Sequence, residues 1–271
     1  MSGVADILLR ITARRRERLA EATAKRGKPV DLVAGAPRSP ADNAFLGALA
    51  ARRERGVPAI IAEVKMGSPR LGSLAGRVDP IAQAETYAAN GAAALSVVVE
   101  PDFFHGSYEL LAVCRQVSGL PAIAKDFVVD PLQLVWAKEA GADAILLIAA
   151  LYEPEELGRW AGLSRGLGLV PLIENHSRED VAKLGSGETP WELVGVNNRN
   201  LRTFEVDLAA SIDLLPELPA MAIKVAESGI DSRAALDRLH GAGFDAFLIG
   251  ESLLKAESPA AKLRELLGVP V

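Results

Sequence analysis

The chain has 271 residues, a formal charge of −5, 49% apolar residues and only 5% aromatics. The negative charge argues against a general nucleic-acid binder, the single Cys114 rules out an internal disulfide and supports no cysteine metal site, and no apolar stretch reaches the roughly 18 uncharged residues of a membrane span. The start, Ile7-Leu8-Leu9-Arg10, lacks the apolar run of a signal peptide, so a soluble cytoplasmic protein is expected.

In chain order, the first 55 or so residues read as helical. Ala5 to Ala20 and Ala41 to Arg55 are the candidates, and the Gly/Pro-containing stretch Gly27 to Pro40 separates them. The cluster Arg14, Arg15, Arg16 and Arg18 reads as a solvated helix face. Eight short apolar runs follow, beginning near Pro58, Ala94, Pro121, Ala144, Leu169, Leu193, Met221 and Phe244. Helical periodicity lies between them, as in Ile81 to Asn90 and Pro131 to Ala140. Three of the junctions repeat a pattern, Gly91-Ala92-Ala93-Ala94, Gly141-Ala142-Asp143-Ala144 and Gly243-Phe244-Asp245-Ala246. Glycine stops a helix, and a continuous apolar run suits a strand buried on both faces. Alternating strands and helices imply a parallel sheet. Eight regular units, in a chain near the roughly 250 residues such a fold needs, predict an α/β fold, a closed (β/α)8 TIM barrel. The whole of 1–271 is expected to form one domain, with 1–55 as a helical N-terminal extension within it. No G-x-G-x-x-G follows the first strand, which weakens a dinucleotide-binding alternative.

A barrel of this kind works at the C-terminal ends of its strands. There the sequence sets Glu63 and Lys65, then Glu100, Lys125-Asp126, Glu174, Asn197-Asn198-Arg199, Glu227-Ser228-Gly229 and Gly250-Glu251-Ser252. Charges at the ends of apolar strands are costly unless paired or used. Glu63 and Lys65 are two apart and should face one side of their strand. A set of structural ion pairs is the rival explanation, and it weakens as Lys and Glu recur on strands 1, 3, 5 and 7. Ser228, Gly229, Gly250 and Glu251 stand where barrels hold phosphate on loop amides and a short extra helix, here Ser252 to Lys255. Cys114 reads as packing, His240 as a helix-terminal residue, and His176 as a cap or loop residue; no metal triad is seen.

At these strand ends the sequence resembles the indole-3-glycerol phosphate synthase family. The matching pieces are Ile61-Ala62-Glu63-Val64-Lys65 with Ser68-Pro69, Phe104-His105-Gly106-Ser107, Ala124-Lys125-Asp126-Phe127 and Pro171-Leu172-Ile173-Glu174. Val196-Asn197-Asn198-Arg199-Asn200-Leu201, Glu227-Ser228-Gly229-Ile230 and Ile249-Gly250-Glu251-Ser252-Leu253 complete them. The resemblance spans almost the whole chain. It implies a cofactor-free closure of an indole ring on 1-(2-carboxyphenylamino)-1-deoxyribulose 5-phosphate, with loss of carbon dioxide and water. It further implies Lys125 as general acid, made usable by a lowered pKa, Glu174 as its partner in dehydration, and Lys65 as the holder of the substrate's anionic groups. Glu63 and Glu227 would orient the lysines, Asn197 and Arg199 the sugar chain. Phe104 and Phe127 would wall the aryl ring, Ser68 would help bind substrate, and Ser228, Gly229, Gly250 and Glu251 would cradle the phosphate.

The chain departs from the family's pattern at Arg70, where a serine is usual, at His105 and at Glu174-Asn175-His176. The Gly-rich loop Met66 to Gly76 is expected to act as a lid. Expected partners are limited to the phosphorylated substrate, with no nucleic acid, membrane, metal or cofactor, and a monomer or weak homodimer is expected. Two other readings stay open: another phosphate-binding barrel, such as phosphoribosylanthranilate isomerase, or an inactive barrel that binds a ligand or partner. The first would use a Cys/Asp or Asp/Asp pair where this chain has Lys and Glu.

Overall fold

The computed structural model describes residues 6–26, 31–69, 72–186 and 190–269. Eight parallel strands close into a barrel: β1 (Ala59–Val64), β2 (Ala94–Val98), β3 (Ala122–Lys125), β4 (Ala144–Ile148), β5 (Val170–Asn175), β6 (Leu193–Asn197), β7 (Ile223–Glu227) and β8 (Ala246–Ile249). Each strand pairs with its sequence neighbour, and β1 closes the ring by pairing with β8, Ala59 opposite Ala246 and Ala62 opposite Ile249. The expected runs start within two residues of the observed strands.

The helices begin where local chemistry can satisfy their free N–H groups. After α1 (Asp6–Arg26), α2 (Ala44–Glu54) starts at Asn43, whose side chain accepts from Leu46 N. α3 (Pro80–Ala89) starts at Asp79, and α4 (Tyr108–Ser118) at Ser107. α5 (Pro131–Glu139) has a full capping box, Asp130 with Gln133. The outer ring continues with α6 (Pro154–Gly166), α7 (Arg178–Ala182), α8 (Leu208–Leu214) and α9 (Arg233–Ala242), then α10 (Glu251–Lys255) and α11 (Pro259–Leu267). A short hairpin, Gly67–Ser68 with Gly72–Ser73, follows β1. It occupies the loop expected to be a lid, and Arg70 lies outside the described residues.

Strand alternation divides the core in two. Ile60, Ala62, Leu95, Val97 and Ile145 point out and pack under the helices. Ile61, Ala94, Ile123, Leu146, Leu172 and Val225 point in and fill the barrel. Phe45, Leu46 and Leu49 of α2 join that inner cluster, and Asn43 Nδ2 donates to Asp143 O at 2.8 Å, where β4 begins. So α2 plugs the N-terminal end of the barrel; each large apolar side chain buried there contributes roughly 1.5–3 kcal/mol.

The arginine cluster on α1 is the solvated face expected at Arg14, Arg16 and Arg18, but not at Arg15. Arg15 is buried and pairs in bidentate fashion with buried Asp126, while Arg14 and Arg18 both reach Asp102. The physical reason is that α1 lies against the barrel mouth, so one side of its polar surface meets acidic loop residues rather than water.

Candidate active site

The inward column of each strand ends at the mouth, and the strand period decides what stands there. From Ile61 the next inward residues are Glu63 and Lys65; from Ile123, Lys125; from Leu172, Glu174; from Leu193, Gly195 and Asn197; from Val225, Glu227. They surround a cavity of about 730 Å³ lined by Glu63, Lys65, Lys125, Glu174, Asn197 and Arg199, among others, a size suited to a small ligand.

Lys65 Nζ donates to Glu63 Oε1 at 2.7 Å. Burial alone would push the Glu63 carboxyl up, but Lys65 and Lys125 outweigh it and hold it below the usual carboxylate range. Gly250 faces this carboxylate across the β1–β8 seam, and a side chain there would run into Glu63. The glycine at the end of β8 is therefore needed first for the carboxylate of β1.

Lys125 is the centre of the second group. Its Nζ donates to Glu227 Oε2 at 3.0 Å and to Glu174 Oε2 at 3.4 Å. A lowered pKa is expected from the sequence, and the structure reverses it. Burial does disfavour the ammonium, but the carboxylates of Glu227, Glu174 and Glu63 together hold it well above the ordinary lysine range. The neighbours of Lys125 are acids rather than other cations, and that decides the sign.

The two carboxyls it joins are pushed apart. Glu174 is disfavoured as an anion by burial, yet Lys125 and His176 hold it well below the usual range. Burial pushes Glu227 up, Lys125 pulls it back, and Glu174 raises it again, to about 8. The two carboxyls titrate as a pair beside Lys125, with Glu227 the one whose proton affinity is raised. Glu227 is 1% exposed and does not line the cavity; it stands behind Lys125. Gly195 leaves room for its carboxyl.

His176 is closer to the chemistry than a cap or loop role implies. Its Nε2 lies 3.1 Å from Glu174 Oε1, so the two oxygens of Glu174 face different nitrogens, one from Lys125 and one from His176. Burial lowers the imidazole's proton affinity, but Glu174, Asp180 and Glu227 raise it above the ordinary value. The two-residue spacing from Glu174 was the available signal, since i and i+2 share a face of an extended segment. Asn198 stood at the end of strand 6 without a role of its own, and Leu8 escaped the sequence reading. Asn198 Nδ2 donates to Ser228 O at 3.0 Å and fixes the strand-7 loop. Leu8 of α1 lines the cavity, a contact that no local pattern encodes. Glu100, which stood among the charged strand ends, is a loop anchor: it accepts from the N–H groups of Asp102, Phe103 and Phe104.

On the apolar side, the Phe104 and Phe127 rings lie with centroids 5.8 Å apart and both line the cavity. Opposite are Ser228, Gly229, Gly250 and Glu251. Ser228 and Gly229 have φ of 67° and 77°, so the chain reverses sharply there; the left-handed form costs about 1–3 kcal/mol for a residue other than glycine. Arg199 pairs with Glu251 at 2.9 Å and so bridges the loops after β6 and β8. Ser68 is the exception: it sits on the short hairpin and is not among the residues that line the cavity.

The family model for indole-3-glycerol phosphate synthase matches residues 8–266. An indole-3-glycerol phosphate synthase of Burkholderia vietnamiensis is 41% identical over 263 residues, 97% of this chain and 99% of that one. Its counterpart in an Azoarcus species is 42% identical over 268 residues, 98% of this chain and all of the other. That of Koribacter versatilis is 45% identical over 224 residues, 83% and 85% of the two chains. Among solved structures, a thiamine phosphate pyrophosphorylase from Pyrococcus furiosus overlays with a TM-score of 0.55 at 15% identity, covering 78% of this chain and 94% of that one. This last likeness concerns the barrel fold alone.

Proposed function

Since the chain belongs to the indole-3-glycerol phosphate synthase family, we propose that it closes the indole ring of 1-(2-carboxyphenylamino)-1-deoxyribulose 5-phosphate, releasing carbon dioxide and water. The observation that carries this reading is Lys125 Nζ held between Glu227 at 3.0 Å and Glu174 at 3.4 Å in a cavity with an aromatic wall.

The aryl carbon that carries the carboxylate attacks the ketose carbonyl, pushed by the substrate's own amine. The carbonyl oxygen takes a proton from Lys125, which its acidic neighbours keep charged. A proton on Glu227 leaves Lys125 one anion fewer to pair with and makes it the stronger acid. Carbon dioxide then leaves the same aryl carbon. The new hydroxyl departs as water with a proton from Lys65, and Glu174, the carboxylate held ionised, takes the proton lost as the ring becomes aromatic. Lys65, oriented by Glu63, balances the substrate's anionic groups. Asn197 and Arg199 hold the sugar chain, Phe104 and Phe127 flank the aryl ring, and Ser228, Gly229, Gly250 and Glu251 take the phosphate. Ser68 would reach the substrate only if its hairpin moved.

Action as a monomer or weak homodimer and a cytoplasmic location go with this reading. The test is growth of indole fluorescence on adding the substrate, with Lys125→Ala beside it. Growth in the unaltered chain and its collapse in the variant are expected. Binding without turnover would favour the inactive barrel instead.

A further inference from the structure

The opposite end of the barrel carries a second cleft, of about 700 Å³. Pro58, just before β1, lines it, and so do residues at the C-terminal ends of α2, α3, α9 and α11. Arg52, Arg55, Arg233, Arg264 and His240 face it, and among the described residues no Asp or Glu does. In a chain with net charge −5, that is a local excess of the opposite sign.

Helix ends explain part of it, because terminal carbonyls attract cations. Arg52 donates to Gly91 O at 3.2 Å, Arg55 to Ala51 O at 3.1 Å and Arg233 to Leu266 O at 3.2 Å. Arg233 also pairs with Asp237 on the rim, at 2.7 Å. Asp237 balances Arg233 and lies near His240, and carbonyls carry only partial charge, so among the described residues the cleft offers no carboxylate to Arg52, Arg55 and Arg264. Arg52 feels this: burial and the charge of Arg55 hold its guanidinium below the ordinary arginine range. Arg264 also stands in the last turn of α11, but a helix end does not account for all of it. Its Nε is buried and has no hydrogen-bond partner among the described residues. An unpaired buried donor is costly and calls for a missing acceptor. An anion with several acceptor oxygens would relieve the repulsion at the open guanidinium nitrogens, and it would reach this closed donor once the Arg264 side chain turns.

We propose that this cleft is a second ligand site that binds a small phosphorylated anion of multiple charge, gripped by Arg55 and Arg264 with Arg52 and Arg233 beside them. Guanidinium forks match phosphate oxygens in pairs, and the cleft has room for more than one phosphate group. The packed barrel interior and the plug formed by α2 separate it from the candidate active site, so the two sites can be filled at once.

Inorganic pyrophosphate is the probe, titrated calorimetrically into the intact chain. The double variant Arg55→Gln, Arg264→Gln is expected to weaken its binding about tenfold or more. Turnover and melting should change little, because both side chains are at least partly exposed and neither borders the mouth. Lys65→Met, at the other end of the barrel, should leave this binding intact, and added salt should weaken it. Should the double variant unfold, Arg55→Gln alone serves, as among the described residues that side chain bonds to its own helix. The proposal is overturned if the unaltered chain binds no pyrophosphate, or if all binding disappears with Lys65→Met and survives the arginine changes.

Discussion

Lys125 and Asp126 are neighbours in sequence and belong to two buried ionic groups on opposite sides of one strand end. Asp126 faces out, and its two oxygens accept from Arg15, Tyr108 Oη at 2.7 Å, Gln133 Nε2 at 2.8 Å and Phe127 N at 2.9 Å. Every strong acceptor position there is used. Lys125 faces in, where one ammonium is shared by Glu227 and Glu174 with Glu63 nearby, and Glu227 Oε1 has no hydrogen-bond partner among the described residues. The outer group is closed and fastens α1 to the barrel. The inner one is left with more acid than base and with protons to move. Outside, one arginine meets one aspartate; inside, one lysine meets three glutamates, so charge balance and saturation of the hydrogen bonds separate a fastening from a candidate reactive centre.

Changes on each side should therefore read out differently. The largest effect is expected from Glu174→Gln, which removes the proposed base while keeping its shape: turnover should fall by about 10²–10⁴, with a smaller stability loss than that of Arg15→Met, because Lys125 keeps Glu227. Unchanged turnover would put the inner group among mere ion pairs. Arg15→Met should do the reverse. It leaves Asp126 buried without its cation and should cost about 3–5 kcal/mol in urea unfolding, while kcat per folded molecule stays within about tenfold. Loss of turnover with no loss of stability would break the comparison.

A smaller effect follows from Glu227. Its folded pKa, about 8, lies above the ordinary 4.5, so its stabilising contribution is fully present below about pH 4.5 and is lost as pH rises through 8. The slope of unfolding free energy should be negative in that window by up to about 1.4 kcal/mol per pH unit, and Glu227→Gln should flatten it. Glu174, held below its ordinary value, acts with the opposite sign and at lower pH. An unaltered slope in the variant would place the raised proton affinity elsewhere. Smallest of all, Arg18→Ala breaks an ion pair with Asp102 whose arginine is 44% exposed; a loss of no more than about 1 kcal/mol is expected by thermal melting.

Much of the inner group was readable in advance, because its pattern is local. Apolar runs, helix stops and a period of two set Glu63 with Lys65, and they put Lys125, Glu174, Asn197 and Glu227 at strand ends. Barrel closure then needed only right-handed repetition of one unit. His176 stood in plain view two residues from Glu174, yet its ring had to be seen against that carboxylate to gain a role. Arg15 could not be read from its neighbours at all, since it looks like Arg14, Arg16 and Arg18 until α1 meets Asp126, 111 residues away.

By itself, then, the sequence determined the eight strands, the strand ends at which the charged residues of the mouth stand and the family of the chain. Only the tertiary structure decided which charges are closed off and which stay reactive: the raised affinity of Lys125 for its proton, the depth of Glu227 and the absence of Ser68 from the cavity lining. Strand and helix periods act over a few residues and survive any packing. A proton affinity sums charge and desolvation over groups that only the closed barrel brings within a few ångströms.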